Sequence, residues 1–169
     1  MGIKEVFTLG VTRTGRACAV GEEFGREKRE LGDIPVLSCE GGCIKGEIAR
    51  RAANIVSKEA GFARACHGAL FTTPQSDLAG WIRDAAKAVV IDGCPLACHG
   101  RIAENIIDKD RLITFDALSI HRKYAALMDV DDVPDEHINR AARQVADKVL
   151  EELRELVRLG NLREAAYTG

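Results

Sequence analysis

The central part of the chain alternates short apolar runs with segments of helical periodicity, and this alternation constrains the fold more than any other feature. Strands are predicted at Ile34–Ser38, 62–65, 88–91 and 112–115, with helical segments between them. Strand and helix in strict alternation imply right-handed crossovers, which make the strands parallel and cover both faces of the sheet with helices. The run 88–91 is apolar on both faces, as a central parallel strand requires. We therefore predict an α/β fold with a Rossmann-like open parallel sheet of about four core strands.

The two ends of the chain predict additions to this unit. Residues 6–11 and 17–20 flank a Thr-Arg-Thr-Gly turn and predict a hairpin at one edge of the sheet. After Pro134, apolar residues recur at three- and four-residue steps until Gly160, which predicts a long C-terminal helix. We interpret this apolar stripe as an intramolecular packing face, with the seam of a homodimer as the alternative.

Composition excludes several classes of partner. The 169 residues are close to the size of one domain, and the formal net charge is only -2. Without a basic face, binding to nucleic acid is not expected. No apolar run approaches the roughly 18 residues of a membrane span, and no targeting signal is evident, so we expect a cytoplasmic protein that does not bind membranes. Its partner, a protein or a small molecule, is not identified by these features.

Six cysteines are the unusual part of the composition. In a reducing compartment, clustered cysteines indicate metal binding or catalysis rather than disulfides. Cys18 lies outside the predicted sheet unit and is expected to be a free thiol. The other five follow the carboxyl ends of predicted strands, where open α/β sheets form their ligand crevice: Cys39, Cys43, Cys66, Cys94 and Cys98.

The spacing of these thiols indicates a metal site. Cys39-Glu-Gly-Gly-Cys43 and Cys94-Pro-Leu-Ala-Cys98 are two pairs, each at the junction of a strand and a helix. Zn²⁺ is often bound by two such pairs, so we predict these four as ligands. Cys66 would be a fifth thiolate, which exceeds the four places of zinc. Either it is a reactive non-ligand, or the site holds an iron–sulfur cluster.

The same segments resemble a known family. Ser38-Cys-Glu-Gly-Gly-Cys43 and Val90-Ile-Asp-Gly-Cys-Pro-Leu-Ala-Cys98 are similar to motifs of the DGC-domain family of zinc-binding proteins, which is named after Asp-Gly-Cys. The resemblance covers about residues 34–118. It implies a small α/β domain with a metal site, and it matches Cys39, Cys66, Cys94 and Cys98 to the family's cysteines. The chain departs from the family pattern at His67-Gly68-Ala69.

Other residues near the thiols are candidates for chemistry. His67 and His99 adjoin Cys66 and Cys98, so each is a candidate ligand, proton carrier or partner of a ligand. Asp92 precedes Cys94 by one glycine and is a candidate for orienting a loop amide or a ligand. Together with Cys66, these three residues are the catalytic candidates. A Walker A loop is excluded because Glu47-Ile48 replaces its Lys-Ser or Lys-Thr.

These observations define one domain and two classes of function. We predict a single metal-binding domain over 1–169, with a family-like core at 34–118, an N-terminal extension at 1–33 and a helical extension at 119–169. In the first class, Zn²⁺ is structural or regulatory and the domain is a binding module. In the alternative, an iron–sulfur cluster or a free thiolate performs sulfur or redox chemistry. The sequence leaves open whether the protein is an enzyme.

Overall fold

The structure, a computed structural model, describes residue 8 and residues 10–12 and 14–160. Within these residues the chain forms four β-strands and seven α-helices. The strands are β1 (Ile34–Ser38), β2 (Phe62–Arg64), β3 (Ala88–Asp92) and β4 (Leu112–Asp116). The helices are α1 (Ala19–Leu31), α2 (Ile44–Val56), α3 (His67–Thr72), α4 (Asp77–Asp84), α5 (Cys98–Ala103), α6 (Ala117–Ile120) and α7 (Asp135–Arg158).

The four strands form one parallel sheet in the order β2-β1-β3-β4. The predicted α/β class and the parallel sheet are therefore confirmed. After β1 the chain moves outward to β2 and then returns to the other side of β1 to form β3. The direction of winding thus reverses between β1 and β3, and in open α/β sheets a ligand crevice forms at the carboxyl ends of the strands that flank such a reversal.

Helices cover both faces of the sheet, and β1 and β3 are therefore buried at every position. Val36 and Val89 face a cluster that contains α2, α6 and α7. Leu37 and Val90 face a second cluster, to which α3, α4 and α5 contribute, with Phe24 of α1 at its margin. Alternate residues of each central strand therefore belong to different cores, as a two-sided parallel sheet requires.

Helix α7 packs against α2 within the same chain, as predicted for the apolar stripe. Eight of its residues are buried and lie at helical spacing: Ile138, Ala141, Ala142, Val145, Ala146, Val149, Leu150 and Leu153. An ion pair also joins the two helices, with 2.6 Å between Arg51 Nη2 and an Asp135 carboxylate oxygen. Charged residues line its outer surface, and no helix within the described ranges is both long and apolar enough to span a membrane.

The predicted N-terminal hairpin is wrong in its second strand. Residues 17–20 lead into α1, whose first residue is Ala19, while residues 6, 7 and 9 of the first strand lie outside the described residues. The glycines of this segment serve helix packing. A Cβ atom at Gly25 would lie 2.5 Å from the backbone of Leu78, so glycine allows α1 to rest directly on α4. Glu22 and Arg26 then bind the first residue of α4, Asp77, through its backbone N–H and its carboxylate.

The helical segment predicted between the strands at 88–91 and 112–115 contains only a short helix in the structure. Pro95 and Leu96 form a turn that is closed by a 3.0 Å hydrogen bond from Ala97 N–H to the carbonyl of Cys94. Ala97 then has left-handed backbone angles, with φ of 48° and ψ of 47°, and α5 begins only at Cys98. A residue with a Cβ pays a cost in this conformation, so the turn interrupts what the periodicity predicted as continuous helix.

Candidate metal centre

Three glycines bring together the loops that follow β1 and β3. A Cβ atom at Gly93 would lie 2.8 Å from the backbone nitrogen of Gly46, in the first turn of α2. One at Gly46 would lie 2.7 Å from the carbonyl oxygen of Gly41. Contacts this short leave no room for a side chain, so the backbone after β3 crosses directly over the start of α2. The two loops therefore meet at the reversal between β1 and β3, where a ligand crevice is expected.

Three potential ligands of different chemical type converge at this point. The Sγ atom of Cys39, a carboxylate oxygen of Asp92 and a ring nitrogen of His99 all lie within 4.8 Å of one another. Cys39 directly follows β1, Asp92 is the last residue of β3, and His99 is the second residue of α5. Sulfur, oxygen and imidazole nitrogen are the three donor types that bind zinc in proteins. The group is thus a candidate site for one metal ion.

Asp92 links the third strand to the helix that carries His99. Its side chain is buried, and its two oxygens accept hydrogen bonds from the backbone N–H groups of His99 at 3.1 Å and Gly100 at 3.0 Å. A Cβ atom at Gly100 would lie 2.8 Å from Asp92 Oδ2, so glycine is needed for this contact. Each carboxylate oxygen has a second lone pair, which leaves Asp92 able to face a cation while it holds α5.

The thiol of Cys39 has opposing influences on its charge. Burial raises its pKa above the usual value, and the nearby Asp92 and Cys43 also favour the neutral form. The backbone N–H groups of Gly41 and Gly93 oppose this by favouring the thiolate, and Gly41 N lies 3.3 Å from the sulfur. A bound cation would offset the burial and the neighbouring negative charge, so the electrostatics of this thiol fit a metal ligand.

His67 and His99 lie against each other at the same edge. Their ring centroids are 4.7 Å apart and the planes are inclined by 58°. Nε2 of His67 and Nδ1 of His99 are buried, and neither has a hydrogen-bond partner among the described residues. Burial, together with the nearby His99 and Arg64, lowers the pKa of His67 to about 4. Its ring is therefore neutral near pH 7, which is the form that binds metals.

Together these features fit a metal ion. Donors of suitable type converge, two imidazoles each bury an unsatisfied nitrogen, and the thiol at the centre is disfavoured as an anion unless a cation is near. Buried polar atoms in native proteins usually have a partner, and a metal is one of the groups that satisfies such atoms. The residues at this site therefore suit a bound metal ion.

The structure does not bring all the predicted thiols into this group. Cys43 precedes α2 and lies close enough to influence the charge of Cys39, while Cys94 is half-buried in the turn after β3. Cys66 and Cys98 are exposed, and Cys98 Sγ lies 4.0 Å from an Arg101 nitrogen. The four-thiolate ligand set, with Cys66 as a fifth, stays a prediction. Cys18 is an exposed free thiol before α1.

Arg64, which the sequence analysis did not single out, fixes the ends of β1 and β2. It donates hydrogen bonds to the carbonyl of Val36 at 2.8 Å and to the hydroxyl of Ser38 at 2.6 Å. It also pairs with the carboxylate of Glu40. These bonds hold the chain where β2 passes into α3, a helix that was not predicted and that begins at His67. An arginine at the end of an apolar strand was the signal available in the sequence.

Comparison with known proteins gives the family. Neither the curated proteins nor the solved structures include a match to this chain. The model of the DGC domain, in contrast, matches residues 35–151, which is well over half of the chain. The match continues beyond residue 118, where the similarity of the motifs ends, and includes most of α7. Cys39, Asp92 and His99 all lie within it. The chain therefore belongs to the DGC-domain family.

Proposed function

We propose that this protein is a zinc-binding module whose ion is held by Cys39, Asp92 and His99 between the carboxyl ends of β1 and β3. The observation that carries the proposal is the convergence of their three donor atoms within 4.8 Å. Cys39 is distant in sequence from Asp92 and His99, and the pairing of β1 with β3 brings it to them. A group of this composition at the crevice of the fold is suited to hold a cation.

The surroundings of the group support this assignment. Asp92 is almost completely buried, and a buried carboxylate is costly unless charge or hydrogen bonds compensate it. Two backbone N–H groups supply part of that compensation, and a divalent cation would supply the rest. The N–H groups of Gly41 and Gly93 would remain directed at the sulfur of Cys39 and would stabilise it as a ligated thiolate.

The donor set favours zinc over an iron–sulfur cluster. Clusters are generally held by four thiolates, with histidine at two positions in one class. Here one thiol shares the site with a carboxylate and an imidazole, a mixture typical of a single zinc ion. When bound, zinc would supply a positive centre that fixes the loops after β1 and β3 relative to each other. This favours the binding or regulatory module among the two predicted classes.

The test is the metal content of the purified protein. Protein prepared without oxygen should contain one zinc per chain by elemental analysis and should be colourless. Cys39→Ser should lose most of the zinc, because the only sulfur in the converging group is removed. Cys18→Ser is the matched control, since that thiol is exposed and lies outside the residues matched by the family; its zinc content should be unchanged.

Three results would contradict the proposal. A brown protein with equimolar iron and acid-labile sulfide would establish the cluster alternative and its redox chemistry. Failure of the wild-type protein to bind zinc during dialysis under reducing conditions would exclude the metal module. Equal loss of zinc from the Cys39 and Cys18 variants would place the site elsewhere in the chain.

A further inference from the structure

Zinc in a closed protein site has four ligands, and Cys39, Asp92 and His99 provide three. We infer that Nε2 of His67 provides the fourth, so that the site is a mixed thiolate, carboxylate and two-histidine centre. This inference rests on the proposed function and adds to it a ligand from the β2–α3 junction. It also assigns a role to the segment in which the chain departs from the family motifs.

The spacing of the two imidazole rings carries the first step. Two imidazoles bound to one tetrahedral zinc at about 2.0 Å have ring centroids about 5 Å apart. The centroids of His67 and His99 are 4.7 Å apart. The 58° inclination also occurs in ordinary tilted contacts between rings, so the spacing fits a shared ion and the buried nitrogens must distinguish the two explanations. The centroid distance therefore fits a shared ion, but His67 is not in the group whose donor atoms converge within 4.8 Å, so its ring must shift toward Cys39, Asp92 and His99 when the ion binds.

The second step concerns the nitrogen that each ring buries. Nε2 of His67 and Nδ1 of His99 lack hydrogen-bond partners within the described part of the chain, although both are inaccessible to solvent. Leaving such an atom unsatisfied costs free energy, and two in adjacent rings are unusual. One ion between the rings would satisfy both lone pairs at once, whereas hydrogen bonds would need two separate partners.

The surroundings of His67 position its ring without blocking this role. His67 opens α3, and on one side its ring packs against Phe71 at a centroid distance of 5.7 Å. The nearest permanent positive charge, on Arg64, is paired with Glu40 and is therefore partly neutralised. The adjacent Cys66 is exposed, whereas Nε2 of His67 is buried.

The rival fourth ligand is Cys43, which the spacing of the cysteines predicts. Its thiol influences the charge of Cys39, so it lies in the same neighbourhood. The two candidates differ in chemistry, because Cys43 would give a site with two sulfurs and His67 a site with one. A spectroscopic count of sulfur ligands therefore distinguishes them.

The experiment uses Co²⁺ in place of zinc, together with zinc competition against a chromophoric chelator. Three variants are compared with the wild type: His67→Gln, Cys43→Ser and His137→Gln. Glutamine keeps a polar group near the Nε2 position but is a poor metal ligand. His137 lies in the first turn of α7 and is the matched control.

The wild type should show tetrahedral Co²⁺ bands with the charge-transfer intensity of one thiolate. His67→Gln should keep that charge-transfer band, shift the ligand-field bands and weaken zinc binding roughly 10- to 100-fold. Cys43→Ser and His137→Gln should match the wild type. Nitrogen NMR of the wild-type histidines gives a test without substitution, because Nε2 of His67 should shift when zinc is added; it decides the matter if His67→Gln does not fold.

The outcomes separate the inference from the proposed function. If the wild type takes up zinc, His67→Gln binds it equally well and Cys43→Ser loses a charge-transfer band, then His67 is not a ligand and the zinc module stands with a second thiolate. An unshifted His67 signal in the zinc-loaded wild type also overturns the inference alone. If the wild type takes up no metal, the proposed function itself fails.

Discussion

The face of the sheet covered by α2 and α7 and the carboxyl edge of β1 and β3 are built from the same strands by different means. On the face, side chains such as Val145 and Leu153 are fully buried among other apolar groups. At the edge, Asp92 is buried near His99, whose ring contacts that of His67. Each of the two rings has a buried nitrogen without a hydrogen-bond partner among the described residues. Apolar packing completes the first region, whereas the second contains buried polar atoms that a bound cation would satisfy.

The difference separates residues that stabilise the fold from residues that are expected to bind a metal. The face gains free energy from burial of apolar area, which needs no specific atom at any one place. The edge depends on backbone contacts between glycines and on the placement of single polar atoms. Changes on the face should therefore act on unfolding, and changes at the edge should act mainly on metal binding.

The largest effect on unfolding is expected from Leu153→Ala. Leu153 is completely buried in the core between α2 and α7, so removal of its side chain should lower the free energy of unfolding by about 2–5 kcal/mol. The zinc content of the folded protein should not change. Urea unfolding with chelator present gives the first quantity and elemental analysis gives the second.

Leu159→Ala is the matched control for this experiment. Leu159 follows α7 and is 63% exposed, so the same substitution should change the free energy of unfolding little. Loss of zinc from folded Leu153→Ala protein would contradict the separation of the two regions and would show that the core sets the geometry of the edge.

Gly93→Ala is expected to lower the free energy of unfolding less than Leu153→Ala does and to weaken zinc binding more. The added Cβ would lie 2.8 Å from the backbone nitrogen of Gly46, so the loop after β3 must move away from α2. We expect a loss of about 1–3 kcal/mol in the free energy of unfolding and weaker zinc binding, since Cys39, in the loop after β1, would move away from Asp92 and from His99 on α5. Thermal or urea unfolding and chelator competition measure the two effects.

Gly42→Ala serves as the control for Gly93→Ala. Nothing lies within 4 Å of a Cβ atom placed at Gly42, although this glycine is in the loop between Cys39 and Cys43. Its zinc affinity should equal that of the wild type. If Gly93→Ala keeps full affinity, close approach of the two loops is not what assembles the site.

Unfolding at acid pH should reveal a modest contribution of Glu47, on α2, to the stability of the fold. Hydrogen bonds from Arg50 and then Arg51 lower the pKa of Glu47 to about 2, despite its partial burial. Because the pKa is lower in the folded state, this stabilisation is complete above the unfolded value near 4.5 and is lost as the pH falls through about 2. With solvent screening it amounts to about 1 kcal/mol.

The measurement is urea unfolding of metal-free protein between pH 7 and pH 2 in the presence of chelator. Glu47→Gln should be less stable at neutral pH, and its stability should fall less with acid than that of the wild type. Glu151→Gln is the control, since Glu151 lies on the outer surface of α7 and pairs with Lys148 only in solvent. Parallel pH curves for wild type and Glu47→Gln would contradict the assignment.

The smallest effect on zinc binding is expected from Cys94→Ser, which tests the set of ligands at the edge. Cys94 is half-buried and lies outside the group of Cys39, Asp92 and His99. A centre completed by His67 should therefore keep one zinc per chain, with less than about tenfold loss in affinity. Loss of most zinc, to the level of Cys39→Ser, would instead restore the four-thiolate set predicted from the cysteine spacing.

The sequence predicted those elements whose form depends on local periodicity and burial. Strands β1 and β3 were recognised because they are apolar on both faces, and α7 because its stripe has helical spacing. Helix α1 was missed because residues 17–20 were interpreted as a hairpin strand, and the contact of Gly25 with α4 that supports the helix is tertiary. The left-handed Ala97 shortened α5 in a way that periodicity does not express.

The sequence predicted the location of the candidate site better than the set of residues that form it. Cys39, Asp92 and His99 were each placed at the carboxyl edge by their position after a strand. Their grouping depends on the contact of Gly93 with Gly46 and on the cap that Asp92 provides to α5, and both are tertiary features. Cysteine spacing describes neighbours along the chain, whereas this site joins residues across the sheet.

The pairing of β1 with β3 has a consequence for how the protein acquires its ion. Cys39 and His99 are distant along the chain and meet only when β3 pairs with β1, so no short segment of the nascent chain contains a preformed site. Zinc would then bind a sheet that is already assembled. Zinc should leave the rate of refolding almost unchanged and lower the rate of unfolding, because it stabilises the native state and not the transition state for folding.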